Sequence, residues 1–151
     1  MRAMEAPPLN VVYADIDGNI GYRVAGVVPV RGRGDGSVPA PGWTGEHDWV
    51  GMVPFEEMPG ALNPPSGVIV SCNHRIMPSG AGPWMGNAYM SGWRARRIGE
   101  MVGDRTGLGS ADFKAIQADV TSIPAREILK RIEGLPCKDP DARTALETMR
   151  L

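Results

Sequence analysis

Glycine and proline are concentrated in the first 92 residues of this 151-residue chain, and this uneven distribution strongly constrains its fold. Eleven of the 14 prolines and 15 of the 20 glycines precede Trp93. Proline removes a backbone donor and clashes with the preceding helical turn, and glycine weakens helices entropically. The first part of the chain is therefore expected to consist of short strands, turns and loops, followed by helices over about residues 93–151.

The strand signals fall between about residues 9 and 76. Val11–Ala14 is an apolar and aromatic run, and an Asp-Gly turn signal in "DIDGN" separates it from Ile20–Val30. This order is typical of a β-hairpin. A later apolar run, Val68–Cys72, predicts a buried strand that ends at a polar residue, Asn73.

Four segments after residue 92 have the three- and four-residue apolar spacing of amphipathic helices. Ser110 is predicted to cap the second helix, and Pro124 suits the first turn of the third. Strands followed by helices indicate an α+β fold. Because a small sheet with isolated helices is marginally stable alone, we expect this chain to be part of a larger domain.

The net charge and composition of the chain exclude several classes of protein. The net charge of −1 offers no basic surface for nucleic acid, and no apolar run approaches the length of a membrane-spanning helix. No nucleic-acid or membrane partner is therefore predicted. Two cysteines and two histidines also argue against a disulfide framework or a structural zinc site.

Four segments occur in a characteristic order: "NVVYADIDGNIGYRVAG", "PVRGRGDGSVPAPGWTGEHDWVGMVPFEEMP", "NPPSGVIVSCNHRI" and "GWRARRIGEM". As an ordered set, they resemble the penicillin acylase family of N-terminal nucleophile hydrolases. The resemblance implies that residues 1–151 are a partial domain of an αββα sandwich. It also implies an amidohydrolase that cleaves small acyl amides, such as penicillin- or acyl-homoserine-lactone-type substrates, through an acyl-enzyme.

The resemblance also implies roles for individual residues. Asn73 matches the asparagine whose side-chain amide donates to the oxyanion in this family. Arg94 matches the arginine that holds the catalytic groups in place, with Arg96 as the alternative if the alignment slips. Leu9 falls where the family places part of its acyl-side pocket. Without the resemblance, an asparagine here is typical of a turn, and clustered arginines are typical of a solvated helix face.

A calcium site is known in many relatives and is not assigned here. The resemblance would place a carbonyl ligand near Gly36 and an aspartate after the catalytic asparagine. Residues 74–89 contain no acidic side chain. Asp15 and Asp17 are interpreted as residues of the hairpin turn, so no metal site and no certain cofactor are predicted.

The nucleophile is expected to lie outside this chain. In the family it is the first residue of a β chain, and its own α-amine acts as the base. Met1 and Arg2 offer neither a hydroxyl nor a thiol. The prediction is a fragment that needs the remaining α and β segments of the same enzyme. The full-length protein is expected to be periplasmic or secreted. The alternative is a non-catalytic module that binds a small ligand or a partner.

Overall fold

The computed structural model describes residues 1–149, which form a strand-rich unit before residue 93 and a helical unit from residue 93 onward. The strands are β1 (Leu9–Ala14), β2 (Ile20–Ala25), β3 (Pro29–Arg31), β4 (Trp49–Met52) and β5 (Gly60–Leu62). The helices are α1 (Trp93–Val102), α2 (Ser110–Gln117), α3 (Ile123–Ile132) and α4 (Pro140–Thr148). This order confirms the predicted α+β class.

The β1–β2 hairpin is confirmed, and Asp15 builds its turn. The strands are antiparallel, with Leu9 opposite Ala25 at one end and Ala14 opposite Ile20 at the other. The Asp15 carboxylate accepts hydrogen bonds from the backbone amides of Asp17 (3.0 Å) and Asn19 (2.8 Å). Asp15 is therefore a turn residue, as interpreted from the sequence.

The predicted strand from Ile20 to Val30 is interrupted at Gly26, which separates β2 from β3. Gly26 has a φ of +104°, and a Cβ at this position would lie 2.7 Å from the Cα of Pro8. Only glycine tolerates this combination without strain. The break places β3 in a second sheet with β4, while β2 pairs with β5.

The predicted strand Val68–Cys72 is wrong, because this segment belongs to neither sheet. An apolar run becomes a strand only where a neighbouring backbone completes its hydrogen bonds, and no strand in residues 1–149 pairs with it. The expected burial of Cys72 is nevertheless confirmed, since its exposed fraction is 9%. The nearby core of the unit is formed by Val24, Val28 and Met58.

The helical unit agrees with the predicted helices, with one change at a cap. Gly109 caps α2 in place of Ser110, and its backbone amide donates to the Asp112 carboxylate at 2.8 Å. Ser122 caps α3 by accepting from the amide of Ala125. Within residues 1–149, no helix has the length and apolar character required to cross a membrane.

Candidate active site

A cavity of about 230 Å³ in the strand-rich unit brings together two of the predicted site residues, Leu9 and Asn73. The start of β1 forms one side of this cavity, and Val24 of β2 contributes to it. The loop after Asn73 supplies further lining residues, including Met85 and Tyr89. The cavity therefore joins side chains that are more than 60 positions apart in the sequence.

Asn73 lies at a sharp change in chain direction next to the cavity. Its φ is +59°, in the left-handed region that asparagine adopts more readily than most residues. Its carbonyl oxygen accepts a hydrogen bond from the backbone amide of Met90 at 2.9 Å. On the other side, Cys72 is buried and its amide donates to Nδ1 of His74 at 3.4 Å. The backbone of Asn73 is thus held from both sides.

The loop over residues 74–89 starts and ends beside Asn73. The guanidinium of Arg75 stacks over the ring of Tyr89, 4.4 Å from its centroid. This cation–π contact connects the two ends of the loop. Together with the bond from Met90 to Asn73, it closes the loop at its base and keeps Tyr89 on the cavity wall.

Asn10 is a cavity residue that the sequence analysis did not identify. It lies in β1, and the hydroxyl of Tyr22 on β2 donates to its Oδ1 at 2.6 Å. Burial, with a smaller contribution from the nearby Tyr89, raises the pKa of Tyr22 to about 12. Tyr22 therefore remains a protonated donor at neutral pH. One feature of the sequence could have identified Asn10: it is an asparagine within a strand, and asparagine is uncommon in strands.

Leu9 borders the cavity with a different orientation from Asn10. Successive side chains of a strand point to opposite faces, so the side chain of Leu9 lies on the face opposite that of Asn10. Leu9 is 48% exposed. Its role in acyl-group binding stays a prediction.

The three arginines of α1 differ in their surroundings. Arg96 pairs with Glu100 at 3.3 Å and with Glu127 of α3 at 3.2 Å. Arg97 forms a two-pronged contact with Asp119, at 2.8 and 2.7 Å, and these hydrogen bonds raise the pKa of Arg97. Arg94 is an exposed residue in the first turn of α1. Arg96 and Arg97 thus connect α1 to α3 and to the segment after α2.

Metal binding is not supported by the side chains in residues 1–149. No group of three or more His, Cys, Asp or Glu side chains in this range is arranged to hold a metal ion. Calcium takes six to eight oxygen ligands, several of them carboxylates. Gly36 has a φ of +76° in a loop, where Asp35 accepts from the amide and hydroxyl of Ser37. No calcium ligand is therefore assigned among these residues.

Comparison with known proteins identifies the family. The profile of the penicillin amidase family matches residues 1–151. This chain belongs to the penicillin amidase family. A solved structure of a thermostable penicillin G acylase from Alcaligenes faecalis matches 94% of the chain with a TM-score of 0.71 and 28% identity. The chain therefore has the fold of part of an N-terminal nucleophile hydrolase.

Two relatives illustrate the range of the family. Penicillin acylase 2 proenzyme from Pseudomonas sp. (strain SE83) is 36% identical over 126 residues, or 83% of the chain. Acyl-homoserine lactone acylase QuiP from Pseudomonas fluorescens (strain Pf0-1) is 35% identical over 136 residues, or 88% of the chain. The chain spans 16% of the length of each and 26% of the A. faecalis acylase chain.

Proposed function

We propose that this chain supplies the oxyanion-stabilising part of the active site of an acylase that hydrolyses acyl amides. The observation that carries the proposal is the placement of Asn73 at a cavity in a penicillin amidase chain. Its left-handed backbone and the bond from Met90 fix the point from which its side chain extends. Such fixed placement is what a catalytic donor requires, because it avoids reorganisation during the reaction.

The chemistry follows from the charge that develops during amide cleavage. A nucleophile attacks the carbonyl carbon, and the carbonyl oxygen becomes an oxyanion. The side-chain amide of Asn73 donates to that oxyanion. The loss of one such donor typically raises the barrier by about 3 kcal/mol. The nucleophile and its amine belong to other segments of the full-length enzyme.

Arg94 is proposed as the arginine that positions the catalytic groups. The similarity of "GWRARRI" to the family motif supports this assignment. The engagement of Arg96 and Arg97 by acidic side chains of the helical unit supports structural roles for these two residues. Arg94 is preferred over Arg96 because of its match to the motif.

The proposed substrates are small molecules with an acyl group joined to an amine. The relatives' names cover acylases of penicillins and of acyl-homoserine lactones. Val24, Ile76 and Met85 give the cavity an apolar wall suited to part of such a ligand. Leu9 is proposed to contribute at its edge.

The test is an assay of the full-length protein with a phenylacetyl amide and an acyl-homoserine lactone. The proposal predicts release of the free carboxylic acid from at least one of them. Asn73→Ala should lower kcat about a hundredfold or more, because the oxyanion loses a donor. Ligand binding without acid release would contradict the proposal and favour the non-catalytic module.

A further inference from the structure

Asn10 lines the same cavity as Asn73, and its side chain also ends in an amide. In the β1–β2 hairpin, Asn10 lies opposite Val24 and Val12 lies opposite Tyr22. Alternation along each strand places Asn10 and Tyr22 on one face as diagonal neighbours. The hydroxyl of Tyr22 reaches Asn10 Oδ1 at 2.6 Å. A polar pair thus lies beside the apolar side chain of Val24 on the cavity wall.

The contact with Tyr22 determines which atoms Asn10 can present. Tyr22 is half-buried and donates its proton, so it pairs with the carbonyl oxygen of the Asn10 amide. The amide nitrogen, which carries both hydrogens, is then the group with which Asn10 donates. This orientation makes Asn10 a donor and suits it to a ligand atom that accepts.

We infer that Asn10 binds a second acceptor of the substrate, distinct from the carbonyl that is attacked, and that Tyr22 positions Asn10 for this task. The inference rests on the proposed function. Penicillins and acyl-homoserine lactones share a feature that fits this role, because each carries a ring carbonyl on the amine side of the cleaved amide. Asn10 would favour leaving groups with such a carbonyl over amines without one.

The test compares two substrates that differ in this carbonyl. N-octanoyl-homoserine lactone contains it, and N-octanoyl-cyclopentylamine lacks it. Asn10→Asp keeps an oxygen that accepts from Tyr22 and removes the NH2 donor. In the full-length enzyme this variant should raise KM for the lactone about tenfold with kcat little changed. KM for the cyclopentylamide should stay at the wild-type value.

Tyr22→Phe tests the positioning role. It should raise KM for the lactone several-fold. The double variant should have the same KM as Asn10→Asp, because both changes disable the same donor, the side-chain amide of Asn10. Tyr13→Phe is the matched control, since the hydroxyl of Tyr13 contacts Asp15 in the hairpin turn. It should leave both KM values unchanged.

The outcomes separate the inference from the proposed function. Equal changes in KM for both amides, or no change for either, would overturn the role of Asn10. If wild-type protein cleaves neither octanoyl amide, calorimetric binding of the same two ligands decides the role of Asn10. The proposed function fails only if the phenylacetyl amide is not cleaved either. Tighter binding of the lactone that is lost in Asn10→Asp would still support the inference. Equal binding of both ligands would overturn it.

Discussion

The backbone amide of Met90 donates to the carbonyl oxygen of Asn73 at 2.9 Å. This bond closes the loop that begins at His74 and fixes the residue on which the proposed chemistry depends. The side chain of Met90 is 61% exposed, so its contribution here comes from the backbone. The bond can therefore be removed without deleting any side chain of the candidate site.

Met90→Pro should lower kcat of the full-length enzyme about tenfold or more, because Asn73 loses a backbone anchor and small displacements of catalytic groups are costly. The measurement is kcat for hydrolysis of an acyl amide. Met90→Ala is the control, since it keeps the backbone amide and should retain turnover near that of wild type. Equal turnover in the two variants would show that the bond does not position Asn73.

Arg94→Ala should lower turnover, whereas Arg96→Ala should act on stability. Arg96 pairs with Glu100 and Glu127 at a partly exposed surface, and such pairs contribute under about 1 kcal/mol. Steady-state kinetics and thermal unfolding of both variants provide the measurement. A large loss of kcat in Arg96→Ala, with normal kinetics in Arg94→Ala, would reverse the assignment.

Asp119 should make the stability of the helical unit sensitive to acid. Hydrogen bonds from Arg97 lower the pKa of Asp119 to about 2, from the usual 3.8. Since the pKa is lower in the folded state, this stabilisation is present above about pH 4 and is lost as pH falls towards 2.

Thermal unfolding between pH 6 and pH 2 measures how much stability is lost as Asp119 becomes protonated. Asp119→Asn should reduce the acid-dependent loss of stability. Asp141→Asn, in the exposed first turn of α4, is the control and should behave as the parent does. An unchanged acid dependence in Asp119→Asn would contradict the prediction.

Removal of calcium should not destabilise the loop from His74 to Tyr89. This loop contains no Asp or Glu, and its ends are connected by the stacking of Arg75 on Tyr89. Hydrogen exchange of the loop amides should therefore be the same with and without EDTA. Faster exchange in this loop after chelation, reversed by added calcium, would contradict the prediction.

The features that were predictable from the sequence depend on nearby residues. The β1–β2 hairpin was predictable because Asp15 and Asn19 form its turn within five positions. The start of α3 was predictable because proline in the first turn is a local signal, and Ser122 caps the same turn. Signals of this kind do not require knowledge of distant contacts.

The features that were missed depend on distant neighbours. Val68–Cys72 has the composition of a strand, but pairing with another strand decides whether a ladder forms. The possible role of Asn10 became apparent only from its hydrogen bond with Tyr22, a residue on the adjacent strand. The motif suggested Asn73, and the cavity that it shares with Leu9 became visible only in the folded chain.

The most direct test of the central claim uses Asn73→Gly in the full-length enzyme. Glycine accepts the φ of +59° and removes only the side-chain amide, so the fold should be retained. Asn63→Gly is a matched control at another left-handed asparagine, whose amide bonds Ile20 and Asn19 in the hairpin. That control should lose some stability and keep its turnover. Asn73→Gly should lose about a hundredfold or more in kcat. A kcat within a few-fold of wild type would contradict the assignment of Asn73 as the oxyanion donor.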